Sequence, residues 1–130
     1  MSGSSEIKLR STVVAVGDSV EEFRAARVLV FFNAGAPEEL AEFSVLHEAT
    51  INLANVARGD SLRLGPEAFE VLAVGEVANQ NLANLGHLVV KADGRTEPEM
   101  LGDVCVEARD LPHLAVGDQI EILGVHKKAE

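Results

Sequence analysis

The chain has 130 residues, 47% of them hydrophobic, and a formal net charge of −10, which fits one domain with a real core. The negative charge argues against nucleic-acid binding, because a protein binds a duplex by neutralising phosphates with Lys and Arg. It equally disfavours an anionic membrane surface. Five Phe are the only aromatic residues, so the chain lacks a stacking platform for bases or sugar rings. No apolar run is long enough to span a bilayer, and no secretory leader is present, so we expect a soluble cytoplasmic protein without membrane insertion.

The termini and the cysteine content set the domain organisation. Residues 1–5 are predicted to be a flexible leader, and residues 6–130 a single domain. Cys105 is the only cysteine, which excludes an intrachain disulfide and a cysteine-cluster metal site. We therefore expect Cys105 to behave as a small buried hydrophobic residue.

Hydrophobic residues recur mostly with a period of two, which is typical of strands. About seven short strands are predicted, at residues 7–16, 28–32, 43–53, 69–77, 87–92, 104–107 and 119–125. Residues 56–65 and 114–124 resemble each other, since each places Gly-Asp in a turn before an alternating strand. Helical turns are indicated at residues 20–24 and 38–42. The pattern predicts an all-β sandwich or small barrel with one or two short helices.

The most informative segment is residues 73–87, where an apolar strand gives way to an Asn-rich turn of helix. That turn contains Asn79 and Asn81, stops at Gly86, and is followed at once by His87. An imidazole titrates near neutral pH, so it can act as a nucleophile, a base or a ligand. A histidine that opens a strand after a helix stop is held firmly while one edge of its ring stays accessible. The alternative is a structural histidine with a satisfied hydrogen bond.

His47 lies in the third predicted strand and shares a face with Phe43 and Val45. A polar imidazole on an apolar face needs a partner or a purpose. In a regular strand Glu48 points to the opposite face, so Glu42 or a group distant in sequence is expected to orient the ring. A buried structural histidine is the alternative interpretation.

The sequence gives less support for a functional role of the other two histidines or for other kinds of site. His113 follows a Pro in a turn and His126 lies near the charged end of the chain, and both are expected to be structural or solvated. The sequence contains no Gly-rich phosphate loop with a Lys, no helical His-x-x-x-His pair and no nucleophile elbow. We predict no metal or cofactor, although a metal site built from His47, His87 and a carboxylate stays open as an alternative.

Two segments carry a resemblance to a known family. Residues 35–47 read Gly-Ala-Pro-Glu-Glu-Leu-Ala-Glu-Phe-Ser-Val-Leu-His, and they resemble the segment before the phosphorylated histidine in the glucitol/sorbitol-specific IIA component of the phosphotransferase system. Residues 73–87 resemble the most recognisable stretch of the same family, and Asp93-Gly94 follows at the family's spacing. The resemblance extends over about residues 7–125.

The resemblance implies a cytoplasmic phosphocarrier with a closed β-barrel of unusual topology. His47 stands where the family's phosphorylated histidine stands. It would accept a phosphoryl group from the carrier protein HPr and pass it to the IIB domain of a membrane permease. Phosphoryl transfer depends on positioning and on hydrogen-bond donors near the equatorial oxygens. We infer that His87 orients the phosphoryl group, and that the amides of Asn79 or Asn81 serve as donors.

A non-catalytic barrel that binds a partner or a small ligand, or regulates, is the competing interpretation. The feature that separates it from a phosphocarrier is whether His47 turns an imidazole edge to solvent.

Overall fold

A computed structural model describes the backbone of residues 3–127 and the side chains of residues 6–124. Eight strands and three short helices make up this part of the chain. The strands are β1 Gly3–Val16, β2 Val28–Asn33, β3 Val45–Asn52, β4 Ser61–Leu64, β5 Glu67–Val74, β6 Leu88–Lys91, β7 Asp103–Val106 and β8 Gln119–Lys127. The helices are α1 Val20–Ala25, α2 Glu38–Ala41 and α3 Ala78–Leu85.

The strands close into a barrel in the order β1-β3-β2-β6-β7-β5-β4-β8. The prediction of an all-β closed barrel is therefore confirmed, but the described residues contain eight strands and three helices instead of about seven strands and one or two helices. The alternating strand predicted after the Gly-Asp turn of residues 56–65 is β4, which is antiparallel to both β5 and β8 and so completes the closure. Two neighbouring pairs, β2 with β3 and β6 with β7, run parallel, although the sequence offers no long βαβ unit.

The predicted leader falls at the start of β1. The strand already begins at Gly3, where its backbone pairs with Lys127 of β8. Met1 and Ser2 lie outside the described residues. Residues 3–5 are therefore part of the strand backbone, whereas the sequence predicted that they belong to a flexible leader.

The core fills the interior of the barrel because alternate residues of each strand point inward. The largest fully buried side chains come from nearly every strand, and they include Leu9, Leu29, Phe31, Val45, Leu62, Phe69, Val71 and Ile120. Cys105 is also fully buried. Burial raises the pKa of its thiol to about 11, so the residue is an inert thiol, as the sequence predicted.

The two faces of β2 differ in what they contact. Phe31 is 1% exposed and belongs to the hydrophobic core. Phe32, the next residue, points to the outer face and is not part of that core cluster. Phe32 pairs with Leu46 of β3, and Leu46 pairs in turn with Ala15 of β1. This outer row lies behind the inner face on which His47 is found.

Helix α3 covers part of the core through Ala78 and Leu82, which are buried in the core cluster. The helix ends at Gly86, whose φ of 60° is left-handed. Glycine adopts this conformation without the strain that a Cβ would bring. The helix therefore ends at Gly86, where the sequence predicted its end. None of the helices in residues 3–127 has both the length and the apolar character that crossing a membrane demands.

Candidate functional site

His47 lies on the inner face of β3 and is 2% exposed. Its Nε2 is 2.8 Å from the carbonyl oxygen of Gly86, and its Nδ1 is 2.6 Å from the Oγ of Ser11. A carbonyl oxygen only accepts hydrogen bonds, so Nε2 carries a proton and donates it to Gly86. In the neutral ring Nδ1 then holds the lone pair and accepts the hydroxyl proton of Ser11.

Electrostatics keep this ring neutral. Burial lowers the pKa of His47 below its ordinary value of 6.5, and the hydrogen bond to the Gly86 carbonyl opposes that shift only in part. Glu48 is exposed, in line with the prediction that it points away from the ring, and Glu42 is exposed as well. Among the described residues no carboxylate bonds to the imidazole, so the orienting partner is distant in sequence. A neutral imidazole is the form that can attack phosphorus.

His87 is half-buried and contacts the opposite side of the barrel wall. Its Nδ1 is 3.2 Å from the carbonyl oxygen of Phe31 and must donate to it. The ring stacks on Phe32, with centroids 4.1 Å apart and planes inclined by 13°. Nε2 makes no hydrogen bond with any group in the described part of the chain. His87 therefore offers a free ring nitrogen at the outer surface.

The two histidines lie on opposite faces of the wall. His47 packs edge-on against Phe31, with ring centroids 6.0 Å apart, whereas His87 stacks on the next residue of the same strand. Their connection runs through the backbone, because the carbonyl that binds His47 belongs to Gly86, the residue before His87. In residues 6–124 no three His, Cys, Asp or Glu side chains meet in an arrangement that could hold a metal ion. The metal site left open by the sequence needed both imidazoles together, and the structure does not bring them together.

The predicted amide donors take different positions on α3. The Asn79 side chain bonds both the backbone N–H and the carbonyl of Val56, at 2.8 and 2.9 Å, and so fastens the segment after β3 to the helix. Asn81 is half-buried, and its backbone carbonyl accepts a hydrogen bond from the backbone N–H of His87 at 3.2 Å. The Asn79 side chain therefore has a structural role, while the contribution of Asn81 to the end of the helix comes from its backbone.

Sequence reasoning missed Ser11. Its side chain is fully buried between Leu9 and Val13, two core residues on the same face of β1. A serine in the middle of an apolar alternation indicates a buried hydrogen bond, and the reasoning used for His47 would have found it.

The remaining histidines lie apart from this site. His113 is 73% exposed with its Nδ1 3.0 Å from a carboxylate oxygen of Glu21, and the side chain of His126 falls outside the described side chains.

Replacing Gly86 with Ala is expected to destabilise the protein more than the same change at Gly117. Both glycines have positive φ, 60° and 96°, so each substitution costs about 1–3 kcal/mol in backbone strain. A Cβ on Gly86 would in addition lie 1.9 Å from Oδ1 of Asn33, whereas nothing lies within 4 Å of one on Gly117. Urea unfolding of the two variants measures the difference. Equal losses would contradict the close approach between Gly86 and Asn33.

Comparisons with known proteins agree on one family. Residues 8–121 match the family model of the PTS system glucitol/sorbitol-specific IIA component. The PTS system glucitol/sorbitol-specific EIIA components of Shigella flexneri and of Escherichia coli strain K12 are each 30% identical to this chain over 116 residues. Each alignment covers 89% of this chain and 94% of the relative.

A solved structure is similar in fold. The crystal structure of a PTS system IIA component from Enterococcus faecalis V583 superposes with a TM-score of 0.74 at 22% identity, covering 88% of this chain and 99% of that one. At this identity the likeness supports the barrel fold alone. The sequence relatives carry the functional comparison.

Proposed function

Because the chain belongs to the family of glucitol/sorbitol-specific IIA components of the phosphotransferase system, we propose that it is a cytoplasmic phosphocarrier whose acceptor is His47. A phosphocarrier role and phosphotransferase activity follow from the family in general. The donor in this proposal is a phosphorylated HPr-type carrier protein, and the recipient is the IIB domain of a glucitol/sorbitol-type permease.

The proposal rests on the protonation state and the hydrogen bonds of the His47 ring. A neutral imidazole nitrogen attacks the phosphorus of the donor's phosphohistidine, a new N–P bond forms, and the donor's N–P bond breaks with its electron pair returning to the donor ring. Burial lowers the pKa of His47 and so favours the neutral, nucleophilic form. The ring is also held at both nitrogens, by Ser11 and by Gly86, which fixes its direction in the wall.

Transfer requires the ring to be uncovered, since His47 is 2% exposed. The group that covers Nε2 is the carbonyl of Gly86, at the junction between α3 and β6. The neighbouring Leu85 is 52% exposed, so the junction lies at the surface. Docking of the donor displaces this short segment, and the phosphoryl group then reaches the nitrogen that Gly86 had occupied.

His87 takes part in the proposal from the same junction. Gly86 and His87 are consecutive, so the movement that uncovers His47 also moves the His87 ring. Its Nδ1–H, now bonded to the Phe31 carbonyl, becomes available to the equatorial oxygens of the phosphoryl group. Asn81, one turn earlier on α3, is the amide we propose as a further donor. Asn79 would have to break two hydrogen bonds with Val56 to contribute.

Replacing His87 with Gln is expected to slow phosphoryl transfer by about 10- to 100-fold while leaving the acceptor intact. A hydrogen bond to a charged group is worth about 1.5–3 kcal/mol, which corresponds to that range of rates. The rate of transfer from phosphorylated HPr, followed by rapid quench, measures the effect. His113→Gln is the matched control, because His113 is 73% exposed and bonds to Glu21. An unchanged rate in His87→Gln would remove His87 from the transfer step.

A binding or regulatory barrel without transfer activity is the second candidate. The observation that favours it is the burial of His47, which shows no solvent-facing imidazole edge in this structure. Such a protein would keep the hydrogen bonds to Ser11 and Gly86 purely for stability. It would bind its partner without forming a covalent intermediate.

The test is reconstitution with phosphoenolpyruvate, enzyme I and HPr, followed by intact mass under mildly alkaline conditions that preserve phosphohistidine. The expected result is one acid-labile phosphoryl adduct whose peptide contains His47. Folded protein that takes up no phosphoryl group from cognate phosphorylated HPr would overturn the phosphocarrier proposal and favour the binding module. Adding the cognate IIB domain then tests the second transfer, which should return the mass to that of the unmodified chain.

A further inference from the structure

Ser11 and Gly86 hold the two nitrogens of His47 with groups of different chemistry. The Gly86 carbonyl can only accept a hydrogen bond, whereas the Ser11 hydroxyl can donate or accept. In the resting state the hydroxyl donates to Nδ1, because Nε2 already carries the ring proton. The Ser11 side chain is fully buried, and no described buried side-chain oxygen or nitrogen lacks a partner.

The two nitrogens also differ in how a donor can reach them. Beyond Nδ1 lies Ser11 in β1, and the backbone of that strand is hydrogen-bonded to β3 on one side and to β8 on the other. No phosphoryl donor can pass through a strand paired on both sides. Beyond Nε2 lies the carbonyl of Gly86, flanked by the exposed Leu85 and the half-buried His87. Nε2 is therefore the nitrogen that becomes accessible when this junction moves.

An attack from Nε2 needs its lone pair, and in the resting state that nitrogen holds the proton. When Gly86 moves away and water reaches the ring, water takes the proton from Nε2 and supplies a proton to Nδ1, so the ring changes tautomer and stays neutral. A carbonyl at the position of Ser11 would accept a hydrogen bond from the Nδ1–H but could not donate one to Nδ1 in the resting state. The hydroxyl serves both states because it rotates from donor to acceptor.

We propose that Ser11 is a positioning residue for phosphoryl transfer, which accepts a hydrogen bond from Nδ1–H of His47 and so leaves the Nε2 lone pair free to attack. This inference rests on the proposed function. The Nε2–P bond forms as the donor's N–P bond breaks, and the electron pair returns to the donor imidazole. The product carries the phosphoryl group on Nε2 and the proton on Nδ1, where it donates to Ser11.

The experiment compares Ser11→Ala, Ser11→Thr and the control Ser44→Ala. Ser44 is a second fully buried serine, but its hydroxyl donates to the carbonyl of Leu40 at 2.6 Å and does not contact His47. Two readouts are used: the rate of transfer at saturating phosphorylated HPr, and the ¹⁵N shifts of the His47 ring, which report which nitrogen is protonated.

We expect Ser11→Ala to lower the saturated rate by about 10- to 100-fold, a size typical of residues that hold a reacting ring through one hydrogen bond. The rate in Ser11→Thr should recover, and Ser44→Ala should transfer at the normal rate. In the unphosphorylated proteins the ¹⁵N shifts should show the Nε2–H form with Ser11 or Thr present. In the phosphorylated wild type they should show protonated Nδ1.

Phosphorylation on Nδ1, or a Ser11→Ala rate equal to that of Ser44→Ala, would overturn the inference. If Ser11→Ala does not fold, the ¹⁵N shifts of the phosphorylated wild type decide, since the inference requires the phosphoryl group on Nε2 and the proton on Nδ1. Failure of the proposed function gives a different result: a His47→Gln protein that still takes up one phosphoryl group would show that His47 is not the acceptor. The ring protonation of His47 in the unmodified protein is measured independently of that result.

Discussion

Replacing His47 with Gln is expected to abolish phosphoryl uptake from phosphorylated HPr while leaving a folded barrel. The imidazole supplies the nucleophilic nitrogen, and an amide nitrogen has no available lone pair with which to attack phosphorus. Intact mass after reconstitution should show no adduct, whereas the wild type gains one. A residual adduct on another residue would show that His47 is not the acceptor, and peptide mapping would then identify the group that is.

The stability of His47→Gln separates a reactive histidine from a purely structural one. The glutamine amide can still donate a hydrogen bond to the Gly86 carbonyl, but the buried Ser11 hydroxyl loses the acceptor that it now has in Nδ1. Leaving one buried polar group unsatisfied costs about 1–3 kcal/mol, within the stability of a small domain. Urea unfolding should therefore show a weakened but cooperative transition. A variant that no longer folds would favour a core histidine kept for packing.

Local signals in the sequence were sufficient for most of the strands and for the two Gly-Asp turns. The two Gly-Asp turns illustrate why. Asp60 and Asp118 each accept a hydrogen bond from the backbone N–H three residues earlier, that of Ala57 and of Ala115, both at 2.8 Å. Both segments therefore form a turn that leads into a strand, as predicted. Such a turn is decided within four residues, so no knowledge of the barrel is needed to see it.

The site could be predicted only in part, because it depends on register between distant strands. The alternation of β3 correctly placed His47 on an apolar face. The sequence could not show that Ser11 would meet it, since β1 has register irregularities against β3 between Arg10 and Ser11 and again between Val13 and Ala15. The first irregularity skips Thr50 of β3 and the second skips Val14 of β1, so local alternation puts Ser11 on the inner face without showing which residue of β3 lies beside it. The partner of the imidazole is therefore fixed by tertiary pairing and not by local pattern.

The relation between the two histidines has the same origin. The sequence placed both histidines in informative segments but did not show on which face of the barrel wall the His87 ring would lie. His87 precedes β6, and its ring is oriented by its own hydrogen bond to the Phe31 carbonyl. β2 lies between β3 and β6 in the barrel, and its consecutive residues Phe31 and Phe32 serve one histidine each. The separation of the imidazoles is a property of that strand.

Replacing Phe31 with Ala is expected to cost about 3–5 kcal/mol of the free energy of unfolding, the range for removing a large buried aromatic side chain. Phe31 is 1% exposed and lies in the core, so the cavity has no route to solvent that would relieve it. Phe32→Ala is the matched control on the same strand, since Phe32 is 8% exposed and packs outside the core cluster. Chemical denaturation should give the larger loss for Phe31→Ala, and the reverse order would contradict the assignment of faces.

Milder changes at the same two positions should separate the roles of the two rings without unfolding the protein. Phe31→Leu removes the edge contact to His47, while Phe32→Leu removes the stacked face under His87. Since the backbone carbonyl of Phe31 is kept in both variants, the Nδ1 bond of His87 has its acceptor in each. The ¹⁵N shifts of His47 should therefore change in Phe31→Leu and those of His87 in Phe32→Leu. One variant that moves both sets equally would mean that the wall between the imidazoles transmits changes from one face to the other.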